Sequence, residues 1–305
     1  MSATISYGKS QVTFYRTYAA PLRVTPIVES TFTGRNNTLF AAEVAVEVFG
    51  DNFLPAYTEG DNREVVATDT MKNFVLRQAL AFEGATLEDF LATLGRQFLT
   101  TYPQMQSLRL SGTEQPFNAA RTPDGGQAGF VESGVLFSRG HGDAGFVTLD
   151  MGRDDAAPVV TAHRCGRVGL QLIKLTGSSF ANFARDDYTT LPEVIDRPLF
   201  IYLDIFWRYA DAADLLAAGP RYVAAEQVRD LAQTVFHEFN SKSIQHLVHE
   251  IGQRLLERFP QLAEVAFEAQ NRLWDTAFVS DADPKTKVYC DPRPPYGLIR
   301  LTLNR

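Results

Sequence analysis

Cysteine is scarce in this 305-residue chain, which has only Cys165 and Cys290, far apart in sequence. That fits free thiols in a reducing compartment better than a disulfide framework. No apolar run is long enough to span a bilayer. The first ten residues are polar, without the apolar core of a secretory leader, and the last four, Thr302-Leu303-Asn304-Arg305, are not a Ser-Lys-Leu-like address. A cytoplasmic location with no membrane partner is therefore expected. Basic residues are also outnumbered: 29 Lys and Arg stand against 36 Asp and Glu, a net charge of −7. Nucleic acid is not an expected partner, because a phosphate backbone needs a basic face. A local cationic pocket could still hold a small anion. Histidines number five, His141, His163, His237, His246 and His249. His246, His249 and Glu250 lie close together but do not form the His-Glu-x-x-His zinc pattern, so no metal is expected. No phosphate-cradling loop stands out: Gly140, Gly142 and Gly145 fit a turn with no helix after it.

What the chain does contain is ordinary for a globular protein, 45% hydrophobic and 21% charged. Its length allows one large domain or two medium ones. Alternation over Val12, Phe14 and Arg16, and again over Glu43 to Phe49, predicts two half-buried strands. A helix is expected to start near Asp69. A second is announced by Thr86-Leu87-Glu88-Asp89, with Leu87, Phe90, Leu91, Leu94 and Phe98 on one face. Strands follow at Ser107 to Ser111 and Phe130 to Phe137, around a turn at Pro123-Asp124-Gly125-Gly126. The order then recurs. Strands are expected at Gly145 to Met151, Val159 to Leu175 and Leu199 to Trp207. Two helices carry Val228, Leu231, Ala232 and Val235, then Ile244, Leu247, Val248, Ile251 and Leu255. Strands return at Leu262 to Phe267, near Trp274 to Val279, and at Leu298 to Leu303. An α+β chain of two tandem halves, 1–143 and 144–305, is implied, with antiparallel sheets and paired helices on one face. The other sheet face needs a cover, most economically a second copy of the chain.

Three places could carry chemistry. Val65 to Ala67 is expected to be a short buried extended segment leading to Thr68 and to Asp69, a helix N-cap candidate. A helix start suits a small anion, though the same residues also suit a plain cap. Lys9 near the first strand could be a surface lysine or, partly desolvated, a base. The polar, aromatic-rich connection Phe180-Ala181-Asn182-Phe183-Ala184-Arg185-Asp186-Asp187-Tyr188-Thr189-Thr190-Leu191-Pro192-Glu193, running on to Asp196-Arg197, is a common setting for binding residues. Phe180 could equally pack, and Arg197 could pair with Asp196 or Glu193.

Val-Val-Ala-Thr-Asp-Thr-Met-Lys-Asn at 65–73, Tyr7-Gly8-Lys9 and the Arg185–Glu193 run together resemble the urate oxidase (uricase) family, from Tyr7 to Gly297-Leu298-Ile299. The resemblance implies two tunnelling-fold (T-fold) domains per chain and a homotetramer with active sites at subunit boundaries. It implies oxidation of urate by O2 without metal, flavin or other cofactor, Lys9 and Thr68 acting as a proton relay. By the same resemblance Thr68, Asp69 through its backbone N–H, Phe180 by stacking, Arg197 by its planar fork, and Ile244 with Gln245 bind substrate. Asn271 borders the oxygen or water above the ring. The pattern breaks once. The family usually has a histidine two residues after this asparagine, where the chain has Leu273, and no histidine follows His249. A shifted alignment, a water or other side chain in its place, and a protein that binds urate but oxidises it poorly are the alternatives. A two-residue relay completed by water is the expectation.

Overall fold

The computed structural model describes residues 4–125, 129–140, 142–155, 157–216, 219–291 and 294–305. Two compact units make up the chain. One comprises Met1–Pro26, Phe32–Cys165 and Asp211–Val223; the other comprises Ile27–Thr31, Gly166–Ala210 and Ala224–Arg305.

In the first unit the main elements are β1 (Ser6–Thr17), β2 (Leu39–Phe49), α1 (Thr68–Ala81), α2 (Leu87–Thr101), β3 (Ser107–Glu114), β4 (Phe117–Pro123), β5 (Phe130–Arg139) and β6 (Ala144–Asp154). Strands β1-β2-β3-β6 form a sheet in that order, each neighbouring pair antiparallel. Strand alternation places Val44, Val46 and Val48 on one face, and register continues them into Leu108, Leu110, Val147, Leu149 and Met151, all buried. The apolar stripe of α2 lies on this face, with Leu87, Phe90, Leu91, Leu94 and Phe98 buried as its spacing predicts. Contact is close enough that a Cβ on Gly95 would come within 2.1 Å of the Met151 sulfur. Thr86 caps α2 by accepting the Asp89 N–H. At its other end Arg153 donates to the carbonyls of Leu99 and Met105, which have no partner within the helix or lie just past it.

The second unit repeats the plan. Its elements are β7 (Ala157–Lys174, the first residues of which belong to the first unit), β8 (Leu199–Tyr209), α3 (Ala225–Glu238), α4 (Ile244–Arg258), β9 (Leu262–Arg272), the short pair β10 (Thr276–Val279) and β11 (Lys287–Tyr289), and β12 (Gly297–Asn304). The sheet order is β7-β8-β9-β12. Ile201, Leu203, Ile205 and Trp207 form the core row of β8, opposite Asn271, Ala269, Phe267 and Val265 of β9. Arg305 closes the end of α4 on the Leu256 and Leu262 carbonyls, as Arg153 does for α2.

The face away from the helices is polar rather than apolar. Arg109 pairs with Asp150, Ser6 with Glu47, and Arg208 with Glu264 across neighbouring strands. Some sequence expectations need correction. Of Val65 to Ala67 only Val66 is buried, and the segment joins no strand, its Val66 N–H held by a side chain described below. Gly145 lies inside β6, as the strand expected over Gly145 to Met151 implies, and not in the turn with Gly140 and Gly142. The strand β4 and the short helix Ala213–Leu216 were not anticipated, their apolar signal being weak. His141 and Gly126 lie outside the described residues. Among the described residues, no helix is long and apolar enough to cross a membrane.

Candidate active site

The candidate residues fall into two clusters, one in each unit. The first is built on β1. Lys9 and Val12 have opposite parity, so a regular strand would put them on opposite faces. A bulge intervenes: Lys9 stands opposite Val46 and Val12 opposite Val44, with Gln11 at φ 58°. The extra residue brings Tyr7 and Lys9 into line with Val48 and Val46, on the face α1 packs against. Gly8 between them has no room for a side chain, since a Cβ there would sit 2.0 Å from the Val46 carbonyl oxygen. The Tyr7 hydroxyl accepts the Val66 N–H at 2.9 Å, pinning the segment that leads into α1. Burial pushes Tyr7 above the ordinary phenol pKa, against the opposing Val66 bond.

Helix α1 starts two residues before an Asp69 cap would place it. Its N-cap is Ala67, not Asp69, and no side chain caps this end. Asp69 is in the first turn, and its carboxylate turns along its own helix to Lys72 and Asn73. It is held below the usual carboxylate range by Lys72 first, then by Asn73 and Lys9. The N–H groups of the first turn are thus left without a side-chain cap, beside the exposed hydroxyl of Thr68 and the half-buried Lys9.

The second cluster gathers on the chain between β7 and β8 and on the ends of β9 and α4. Phe180 forms a two-way bridge with Val194, and the Arg197 N–H donates to Ser178 O at 2.9 Å. The Phe180 ring lies stacked on Phe183, and the Arg197 guanidinium stands 5.6 Å from the Phe180 centroid. Neither acidic partner weighed from sequence is available. Asp196 accepts from the Thr176 hydroxyl and the Gly177 N–H, and Glu193 accepts from the Asn182 N–H. Burial lowers Arg197 from the ordinary guanidinium value, and its Nε is buried with no partner. Asn271 stands opposite Ile201 in the core row of β9, and its Oδ1 is likewise buried and unpaired. Both residues line one cavity of about 210 Å³, together with Phe200, Leu273, Trp274 and Tyr289. That volume is below the roughly 300–1,000 Å³ of a drug-sized pocket and suits a small rigid ligand.

Ile244 is buried and opens α4, while Gln245 beside it is exposed, its amide making no hydrogen bond among the described residues. What ties this helix start to the Phe180–Arg197 segment is a pair of serines that sequence reading missed. Ser178 and Ser241 are 1% and 0% exposed and joined hydroxyl to hydroxyl, and Ser241 O accepts the Ser179 N–H. Nothing in the local pattern marks a serine as buried; only the long-range pairing does. A second cavity of about 220 Å³ lies by Tyr202, Asp204, Glu268 and Gln270. It is on the other face of β8 and β9, and Asp204 is already bonded to Gly169 N. Among the described residues, no group of three or more His, Cys, Asp or Glu could hold a metal ion.

The sequence model of the uricase family matches residues 5–137 and 163–300. This chain belongs to the uricase family. It is 47% identical to a uricase of Haloferax volcanii over 303 residues, 99% of this chain and 98% of that one. It is also 46% identical to a bifunctional uric acid degradation protein of Bacillus subtilis, covering all of this chain and 62% of that one. The crystal structure of Bacillus sp. TB-90 urate oxidase superposes with a TM-score of 0.95 at 43% identity, covering 99% of each chain. Two tandem T-fold domains, with antiparallel sheets and helices on one face, are therefore the family's plan in this chain, and membership makes it an enzyme.

Proposed function

We propose that the chain oxidises urate with O2 and water to 5-hydroxyisourate and hydrogen peroxide, without a cofactor. The observation that carries this reading is that two residues lining one small cavity each hold a buried, unpartnered atom, Arg197 Nε and Asn271 Oδ1. A buried guanidinium N–H left unpaired calls for an acceptor or anion, while the asparagine oxygen calls for a donor. Urate is a flat monoanion that offers both. Phe180 supplies an aromatic face for it, Arg197 a planar fork, and Ile244 with Gln245 an amide edge. Lys9 draws a proton off the substrate through the Thr68 hydroxyl, while the Asp69 N–H in the uncapped turn of α1 holds it. The electron-rich dianion can then reduce O2 directly. A hydroperoxide at C5 forms first; water then displaces peroxide, so atoms and electrons balance. Positioning and charge stabilisation are the protein's share. In this reading four copies assemble, and each site draws on two of them.

A second reading, a purine-binding protein without turnover, is favoured by one feature. Leu273, 48% exposed, lines the cavity where the family usually has a histidine and cannot carry a proton. Loss of urate's ultraviolet absorbance together with oxygen uptake by the purified chain tests both. Binding with neither signal would leave only the second reading, and no binding would sink both. Arg197→Lys, which keeps the charge but loses the fork, is expected to weaken urate binding at least tenfold, about 1.4 kcal/mol, by titration.

A further inference from the structure

Trp274, a third residue lining the same cavity, also carries an orphan atom. Its indole Nε1 is buried and has no hydrogen-bond partner, and the residue lines the cavity beside Arg197 and Asn271. A buried tryptophan N–H usually finds an acceptor, so an unused one on a cavity wall points at whatever fills the cavity. The ring is not free to turn away. It packs on Tyr289, centroids 5.0 Å apart, and on Phe200 at 5.6 Å. Arg272 also lines the cavity with an unpaired Nε, but its guanidinium is already engaged, stacked between Tyr202 and Tyr296 and bonded to Gln270. Apart from Arg272 Nε, the buried orphan atoms of the lining residues are two donors, Arg197 Nε and Trp274 Nε1, and one acceptor, Asn271 Oδ1. That set complements a ring edge on which carbonyl oxygens and N–H groups alternate, as in a cyclic ureide.

We infer that Trp274 is a substrate-binding residue whose indole N–H donates to a carbonyl oxygen of the bound heterocycle. This rests on the urate reading above. Tryptophan donates but cannot accept, so it fixes the ligand without moving protons. It stands one residue beyond Leu273, and supplies orientation, not the missing relay.

The test is steady-state kinetics with urate, alongside thermal unfolding. Trp274→Phe keeps a ring against Phe200 and Tyr289 and removes only the N–H. It should raise the urate KM about tenfold, with the unfolding midpoint unmoved. Trp274→His keeps a ring N–H and should bring KM back toward the native value. A W274F protein with native KM would overturn the assignment while native turnover upheld the urate reading. Impairment of W274F and W274H alike would assign the effect to ring size and also overturn it. A native chain that neither binds nor consumes urate would bring down the urate reading itself, and the native control separates that failure from the first.

Discussion

A single residue, Gln11, decides which way Lys9 faces. Without the bulge, Lys9 would lie on the polar face with Glu43 and Glu47; with it, Lys9 lies under α1. Sequence periodicity cannot reveal this, because alternation read through Val12 and Phe14 assigns Lys9 to the wrong side, and a bulge leaves no composition signal. Motif resemblance singles out Lys9 without reference to the face it takes. Tyr7 was visible in the same motif, but not its role as the acceptor for Val66 N–H. Tyr7→Phe leaves that buried N–H unpaired and frees the segment before α1. It should cost about 1–3 kcal/mol by denaturant unfolding and lower turnover more than it changes urate affinity. Arg197 and Asn271 were likewise named from the motif, while their unpaired state, which is what argues for a ligand, needed coordinates.

Elements were the most legible level. The stripe of α2 and its Thr86 cap were readable because both signals are local, a hydroxyl three residues before an N–H and apolar side chains at helical spacing. The start of α1 is illegible for the opposite reason: it has no side-chain cap, so the sequence offers Asp69 as a capping side chain while the N-cap is Ala67. That open end is where a ligand is proposed, so a propensity-based reading fails where the chain departs from helix-capping rules. Thr86→Ala should destabilise the first unit by about 1 kcal/mol in chemical denaturation, leaving urate affinity unchanged. The strand β4 was missed because it pairs only with β5, and its residues do not alternate cleanly in burial.

At the scale of the molecule, the first unit buries a carboxylic acid. Glu88, in the first turn of α2, is 5% exposed and accepts from the Tyr222 hydroxyl at 3.2 Å, near the buried Cys165 thiol and the Arg35–Glu114 pair. Desolvation raises it from 4.5 to about 8. The fold therefore holds this proton while the unfolded chain releases it. The resulting stability is complete below pH 4.5, declines as pH rises, and is gone above about 8. Glu88→Gln, neutral at every pH, should flatten that slope in melting temperatures measured from pH 5 to 9.

The cavity atoms without partners carry a cost that falls on the empty protein alone. Buried polar groups left unsatisfied weaken a fold, and replacing one by an apolar side chain of like size removes the penalty. Asn271→Leu should thus give a protein more resistant to heat than the native one yet blind to urate, a trade of endurance for recognition that calorimetry and binding would read side by side.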